Sequence, residues 1–157
     1  MNCISKYQGI ANELVRKSFS ELRHHKIWVY ESHSKRFDKY ALADTIYMIF
    51  FSIIRIGTIL REFPEKSIRG IIAHELCHVE IFKKRRFFDK LFSGLKYNLS
   101  KKAQISEEHK TEKLAIRKGY ARELYQAKKV REGLRGPSPY HLSSKEIKTY
   151  AKEIGKW

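Results

Sequence analysis

The most informative stretch of this 157-residue chain runs Ile71-Ile72-Ala73-His74-Glu75-Leu76-Cys77-His78. It lies within a longer segment, residues 68–82, whose apolar side chains recur at three- and four-residue spacing, as they do along one face of a helix. Pro64 and Glu65 precede this segment. Proline suits the first turn of a helix, and an acidic side chain there meets the positive end of the helix dipole. The pattern therefore predicts a helix that begins near residue 64 and carries the stretch in its middle.

The two histidines of this H-E-x-x-H motif point to a metal site. Residues four apart lie on one face of a helix, so the imidazoles of His74 and His78 can converge on one point. Neutral imidazole nitrogens are good zinc ligands, and the neighbouring carboxylate of Glu75 can take a proton from an attacking water. Cys77 lies about 100° round the helix from His78. We therefore expect Cys77 to be a small core residue and not a ligand.

The flanking segments predict a small α+β fold. Apolar spacing predicts a helix over residues 4–25, and residues 26–31 read as a short strand. Residues 42–51 and 53–60 read as two more strands or one bent pair, with breaks at Ser52 and Gly57. Further helices are predicted over 106–131 and 144–154. The expected architecture is a three- or four-stranded sheet packed on the N-terminal helix, the H-E-x-x-H helix and a glutamate-bearing helix, with a helical C-terminal tail.

A hydrolytic zinc site needs a third protein ligand and one open position. Phe82 and the basic residues 83–85 occupy the stretch where the metzincin pattern has its third histidine, so that pattern is absent. Glu108 and Glu112 lie four residues apart on one face of the next predicted helix, so one can bind metal while the other hydrogen-bonds a ligand histidine. The candidates on this helix are Glu107, Glu108, His109 and Glu112.

The same helix carries the pattern Glu108-x-x-Thr111-Glu112-x-x-Ala115-Ile116-x-x-Gly119-Tyr120. Together with residues 71–78, this pattern resembles the gluzincin metalloproteases, above all the small archaeal and bacterial minigluzincins, over roughly residues 40–130. The resemblance implies that the zinc ligands are His74, His78 and Glu108, that Glu75 is the general base, and that Glu112 replaces an aspartate supporting a ligand histidine. The family has a shorter acid in place of Glu112 and a small residue in place of Thr111. Glu112 and His109 therefore stay open as alternative third ligands.

The resemblance also implies a division of the chain. It implies a zincin-like catalytic domain over 1–132, with a basic and aromatic insert at 82–102, and a C-terminal tail over 133–157 that covers the cleft and keeps the enzyme latent. The alternative for the tail is a packed helix anchored by Trp157. By analogy with the family, a peptide substrate lies extended along the strand near residues 44–50. Candidates for stabilising the oxyanion are Tyr120, Tyr140 and His141.

The chain is strongly basic. Its 33 Lys and Arg against 17 Asp and Glu give a formal net charge of +16, which favours polyanionic partners. Residues 82–97 carry six Lys or Arg and five Phe or Tyr against one Asp. The segment 82–102 is therefore a candidate contact for nucleic acid or an anionic membrane, with a solvated helical hairpin as the alternative. SprT-like zinc proteases act on DNA-bound proteins, but their third ligand is a histidine nearer the motif, which this chain lacks.

The expected compartment is the cytoplasm. Only Cys3 and Cys77 are present, which excludes a disulfide scaffold and favours free thiols in a reducing environment. Residues 1–17 show no apolar signal segment, and the apolar run 46–54 is shorter than the roughly 20 residues that span a bilayer. The leading hypothesis is a zinc metallopeptidase acting on peptides or proteins. The alternatives are a basic zinc-containing module that binds nucleic acid or anionic membrane without hydrolysis, and an inactive protease fold serving as an adaptor.

Overall fold

The structure is a computed structural model and describes residues 5–34, 36–37, 41–85 and 100–157. Its helices and strands confirm the predicted α+β fold. The helices are α1 (Lys6–Ser18), α2 (Glu65–Lys84), α3 (Lys101–Ala115), α4 (Ala121–Arg135) and α5 (Ser144–Glu153). The strands are β1 (Lys26–Ser32), β2 (Ala43–Tyr47) and β3 (Phe51–Gly57). Short 3-10 turns cover Ser20–Leu22 and Thr58–Glu62, and a π turn, Ile116–Tyr120, joins α3 to α4.

The three strands form one mixed sheet in the order β1-β3-β2. The central strand β3 runs parallel to β1 and antiparallel to β2. Its alternate residues Ser52, Ile54 and Ile56 are buried on one face, while the residues between them are half-buried on the other. The side chain of Gln8 from α1 accepts a hydrogen bond from the backbone of β1 and donates one to it, which covers that edge. The edge of β2 lies on the opposite side of the sheet.

Helix α2 is the central element of the core. It packs against β2, α1, α3 and α4, and side chains such as Ile72, Leu76 and Val79 are fully buried between them. At Gly70, an added Cβ would lie 2.5 Å from the carbonyl carbon and oxygen of Glu123. Glycine is therefore what allows α4 to approach α2 this closely.

Two boundaries at the N-terminal side differ from the prediction. The helix predicted over 4–25 ends at Ser18, because the chain turns there and buries Phe19 against the ring of Tyr120. The predicted break at Ser52 is wrong, since Ser52 is fully buried within β3 and its Oγ lies 3.0 Å from Nε2 of His25. The reversal between β2 and β3 falls at residues 48–50 instead.

The glutamate-bearing helix predicted over 106–131 is two helices. The first begins at Lys101, because Ser100 caps it by accepting a hydrogen bond from the backbone N–H of Ala103. The two are separated by a kink at Gly119, whose φ of 95° lies in the left-handed region that favours glycine. This kink directs α3 and α4 along different sides of α2.

The C-terminal tail belongs to the same hydrophobic core. Leu142, Ile147 and Ala151 are buried in one cluster with residues of α2 and α4, and Trp157 packs edge-on against Tyr125. The boundary at residue 132 stays a prediction. None of the helices in the described ranges is long and apolar enough to cross a bilayer. Cys3 and most of the predicted insert at 82–102 lie outside the described residues.

Candidate metal centre

Helix α2 directs two histidines to one point, and α3 adds a carboxylate. The Nε2 atoms of His74 and His78 lie 3.1 Å apart. Glu108 Oε2 lies 3.2 Å from Nε2 of His74 and 3.3 Å from Nε2 of His78. Ligands placed tetrahedrally at about 2.0–2.1 Å from a zinc ion are about 3.3–3.4 Å apart. The three atoms therefore have the spacing of three ligands of one zinc ion.

The hydrogen bond on the other side of the His78 ring directs its Nε2 toward the cluster. Thr111 Oγ1 donates its proton to the carbonyl of Glu107 at 2.9 Å, so the same oxygen accepts from Nδ1 of His78 at 3.3 Å. A metal bound at the cluster would replace the proton that Nε2 shares with Glu108, and the proton on Nδ1 would leave the lone pair of Nε2 for the metal. The Nδ1 atom of His74 is buried and has no hydrogen-bond partner among the described residues. Thr111, the departure from the family pattern, thus positions one of the two histidines.

The electrostatics of the cluster favour an ionised carboxylate. Burial raises the pKa of Glu108, but the hydrogen bonds from His74 and His78 outweigh it and hold that pKa far below its usual range. Burial lowers the pKa of His78, yet the contact with Glu108 leaves it raised overall. A negative charge held between two imidazoles is the arrangement that a divalent cation would neutralise.

The tail brings a third histidine to the cluster. His141 Nδ1 lies 3.4 Å from Glu108 Oε2 and 3.0 Å from Glu112 Oε1. One ligand atom from each of His74, Glu108 and His141 lies within 4.8 Å of the others, so this buried group could hold a metal ion. A carboxylate can only accept hydrogen bonds, so the contact with Glu112 places the proton of His141 on Nδ1. The same nitrogen cannot donate to Glu112 and bind a metal at once.

Glu112 holds the tail by hydrogen bonds and does not face the candidate ligands of α2. Its side chain is fully buried, and it accepts a hydrogen bond from the backbone N–H of Leu142 at 2.7 Å. The ammonium of Lys128, on α4, forms an ion pair with its other oxygen. Burial raises the pKa of Glu112, but the charge of Lys128 and the hydrogen bond from His141 lower it to about 2. The histidine that Glu112 supports is therefore His141, rather than a histidine of the motif.

Glu75 is held beside the cluster by the sheet. Thr45 of the edge strand β2 donates to Glu75 Oε2 at 2.7 Å. Both residues line a cleft of about 470 Å³ bounded by β2, α2 and α4, together with His74, His78, Glu108 and His141. Arg131 also lines this cleft and forms no ion pair among the described residues. Burial, followed by the charge of Arg135, lowers the pKa of Arg131. The cleft thus combines a carboxylate next to the cluster with a cation available to an anionic ligand.

The other predicted site residues lie elsewhere. Tyr120 is buried in the core, where its hydroxyl donates to Ser18 Oγ at 2.7 Å. The ring of Tyr140 lies 5.7 Å from Nζ of Lys101 and does not line the cleft. His109 is half-buried on α3 and is likewise not part of the cleft wall. Cys77 is fully buried with a free thiol, and burial raises its pKa well above the ordinary value.

Sequence reasoning missed three residues that shape the site. Thr45 and Lys128 carry no motif, and their roles depend on which strand and helix face the cleft. Thr111 was noticed only as a deviation, although its hydrogen bond to His78 gives it a role. A lysine in a basic helix looks like any solvated lysine, and only its burial beside Glu112 sets Lys128 apart.

Comparisons of the chain with protein-family models, with curated proteins and with solved structures find no match in any of the three. The chemistry of the site therefore carries the functional argument.

Proposed function

We propose that this protein is a zinc-dependent metallopeptidase of gluzincin type. The observation that carries the proposal is the convergence of His74 Nε2, His78 Nε2 and Glu108 Oε2 at 3.1–3.3 Å from one another, with the carboxylate of Glu75 beside them in a cleft. Two imidazoles and one carboxylate are a known ligand set for catalytic zinc, which keeps its fourth position for water or substrate. Zinc bound there would supply a polarised carbonyl and an acidified water.

The chain's own residues divide the remaining work. Glu75 is positioned by Thr45 to accept a proton from the attacking water and to pass it to the leaving amine. Strand β2 borders the cleft and, within the described ranges, is an outer strand of the sheet. An extended peptide that adds to this strand would have its scissile bond oriented over the cluster. Peptides and proteins are therefore the proposed substrates. The buried free thiol of Cys77 suits a reducing compartment, and we propose the cytoplasm.

His141 is proposed to control access to the fourth position. While Nδ1 donates to Glu112, the neutral ring stands beside Glu108 and leaves the fourth position open. To stabilise a developing oxyanion, Nε2 would also have to carry a proton, which burial opposes by lowering the pKa of His141. If Nδ1 releases Glu112 and binds the metal, the site has four protein ligands and no position for substrate. The second state is a latent enzyme, in line with the proposed role of the tail.

Metal content measured by mass spectrometry on the untagged protein tests the proposal. We expect one zinc per chain in the wild type, less than a tenth of that in Glu108→Ala, and full zinc in His109→Ala, a neighbour on α3 outside the cleft. Glu75→Gln should keep its zinc and lose peptide hydrolysis by at least about a hundredfold, the lower end of general-base contributions. A wild type that binds no zinc, or an active Glu75→Gln variant, would contradict the proposal.

A non-hydrolytic zinc module is the second candidate. The observation that favours it is His141, because a fourth protein donor beside the cluster is typical of closed structural sites. In that case Glu75→Gln would change neither zinc content nor any activity, and His141→Ala would release the zinc. The net charge of +16 would then make nucleic acid or an anionic membrane the partner to examine.

A further inference from the structure

The outer face of the sheet carries a group of exposed hydrophobic side chains next to the half-exposed ion pair of Asp44 and Arg55. Among the described residues, most of the large hydrophobic side chains that are exposed lie on this face or on the β2–β3 turn. Phe50, at the turn, is 82% exposed and Ile49 is 63% exposed. We call this surface the apolar face. Its members are Trp28, Tyr30, Ile46, Met48, Ile49 and Phe50.

The members of the apolar face are neighbours in space. Ile46 of β2 and Trp28 of β1 flank Ile53 of β3 on either side in the strand register. The indole of Trp28 also packs on Phe51, with ring centroids 4.8 Å apart. Isolated exposed hydrophobic residues are ordinary on a protein surface, whereas a contiguous patch marks an interaction site. Leu134 and Ile154, the exposed hydrophobic residues away from this face, form no such patch with it.

Basic side chains lie on the β1 side of the tip of this face. Lys26 is exposed and pairs in register with Phe51, the first residue after the turn. Arg23 and His24 precede it and are also exposed. The end of the apolar face next to the turn therefore has basic side chains beside it, on a chain whose net charge is +16.

We propose that the apolar face docks on an anionic lipid bilayer, with Met48, Ile49 and Phe50 inserted between the headgroups. Tryptophan and tyrosine favour the membrane–water interface, where Trp28 and Tyr30 would lie, and Lys26 and Arg23 beside the tip would meet lipid phosphates. The six residues of this face share no position with the sequence-predicted contact at 82–102. The proposal does not depend on the metal site or on peptidase activity.

Other occupants fit this surface less well. A second copy would bring two chains of charge +16 together, which opposes association. Single-stranded nucleic acid stacks its bases on aromatic rings, but Ile46, Met48 and Ile49 offer no ring for stacking. An anionic bilayer accepts both the aliphatic tip and the bordering cations.

Vesicle binding tests the proposal. We expect the full chain to co-sediment with vesicles of phosphatidylcholine and phosphatidylglycerol (7:3) and to bind pure phosphatidylcholine vesicles at least tenfold more weakly. In a Trp157→Phe background, the fluorescence of Trp28 should shift to shorter wavelength on binding. The double variant Ile49→Ser/Phe50→Ser should bind anionic vesicles at least tenfold more weakly. The control Leu134→Ser/Ile154→Ser alters two other exposed hydrophobic residues outside this face and should bind like the wild type.

Circular dichroism and the midpoint of thermal unfolding establish that the variants fold, which their exposed positions favour. Three results would overturn the proposal: unchanged vesicle binding by Ile49→Ser/Phe50→Ser, no binding of the wild type to anionic vesicles, or equal losses in the control variant. A dimer in solution that Ile49→Ser/Phe50→Ser converts to monomer, without vesicle binding, would assign the face to a second copy. A shift of Trp28 fluorescence with single-stranded DNA alone would assign it to nucleic acid.

Discussion

At the scale of single residues, the ion pair between Glu112 and Lys128 anchors the tail beside the metal ligands. The glutamate is fully buried and the lysine nearly so. Removing one member of a buried pair leaves an uncompensated charge in the core, which costs more than the pair contributes. This pair therefore matters to stability because the loss of one member would leave the other as an unpaired charge in the core.

We expect Lys128→Met to lower the free energy of unfolding by about 3–5 kcal/mol, because it strands the Glu112 carboxylate in the core. Urea denaturation of the metal-free protein measures the change. The double variant Lys128→Met/Glu112→Gln removes both charges and should recover part of the loss. A single variant that costs less than about 1 kcal/mol, the range of exposed pairs, would mean that Glu112 finds another partner.

The low pKa of Glu112 makes stability depend on pH. This pKa is about 2 in the folded state against an ordinary value of 4.5, so the folded protein favours the ionised form. The contribution is fully present above about pH 4.5 and is lost as pH falls towards 2, and it amounts to about 3 kcal/mol. Urea titrations of the metal-free protein between pH 2 and 6 should show this decline. Glu112→Gln removes this contribution and should make the decline shallower. Some decline should remain, because the lowered pKa of Glu108 contributes with the same sign. An unchanged slope would rule out Glu112 as a source.

At the scale of elements, the contact between α2 and α4 forms the floor of the cleft. Helix α2 carries His74, Glu75 and His78, and α4 carries Lys128 and Arg131. Their separation is set at Gly70, where the backbone of Glu123 leaves no room for a Cβ. The geometry of the cleft thus depends on a residue that does not face it.

We expect Gly70→Ala to destabilise the protein by about 2–3 kcal/mol, because the added methyl group forces the α4 backbone away. Thermal unfolding measures the effect. Gly9→Ala is the matched control, since it also lies within a helix but has open space around an added Cβ. It should stabilise by up to about 1 kcal/mol through helix propensity. Equal effects of the two substitutions would show that close packing at Gly70 is not limiting.

At the scale of the whole molecule, the tail has two roles, and a truncation would remove both at once. Its helix α5 contributes Ile147 and Ala151 to the core, and the residue before Leu142 reaches the candidate ligands. Opening the cleft by deleting the tail would therefore also remove part of the hydrophobic core.

We expect deletion of residues 137–157 to lower the midpoint of thermal unfolding by 10 °C or more, since full burial of Leu142 and Ile147 contributes about 1.5–3 kcal/mol each. His141→Ala should keep the midpoint within a few degrees and free the fourth position. Cobalt(II) substituted for zinc reports the coordination by its absorption: a change on His141→Ala indicates that His141 binds the metal, and an unchanged spectrum indicates that it donates to Glu112. A truncated chain as stable as the wild type would contradict the core role of α5.

The sequence by itself determined the α+β class. It also determined that His74 and His78 share one helical face with Glu75 next to them, because helical periodicity and i, i+4 proximity are local properties of the backbone. It also placed Glu108 and Glu112 on one helical face, but could not say which of them faces the histidines. That choice depends on how α3 rotates against α2, some 30 residues away along the chain.

Only the tertiary structure decided the roles of Glu112, Lys128 and His141. The kink at Gly119 and the packing of α4 and α5 bring these three side chains together, although they come from separate elements. The tertiary structure also decided the position of the β2–β3 turn. Ser52, where the sequence predicts a break, is buried and hydrogen-bonded within β3, so the turn lies elsewhere. Burial and long-range hydrogen bonding outweigh local propensity at these positions, since an unsatisfied polar group or charge in the core costs more than any local preference contributes.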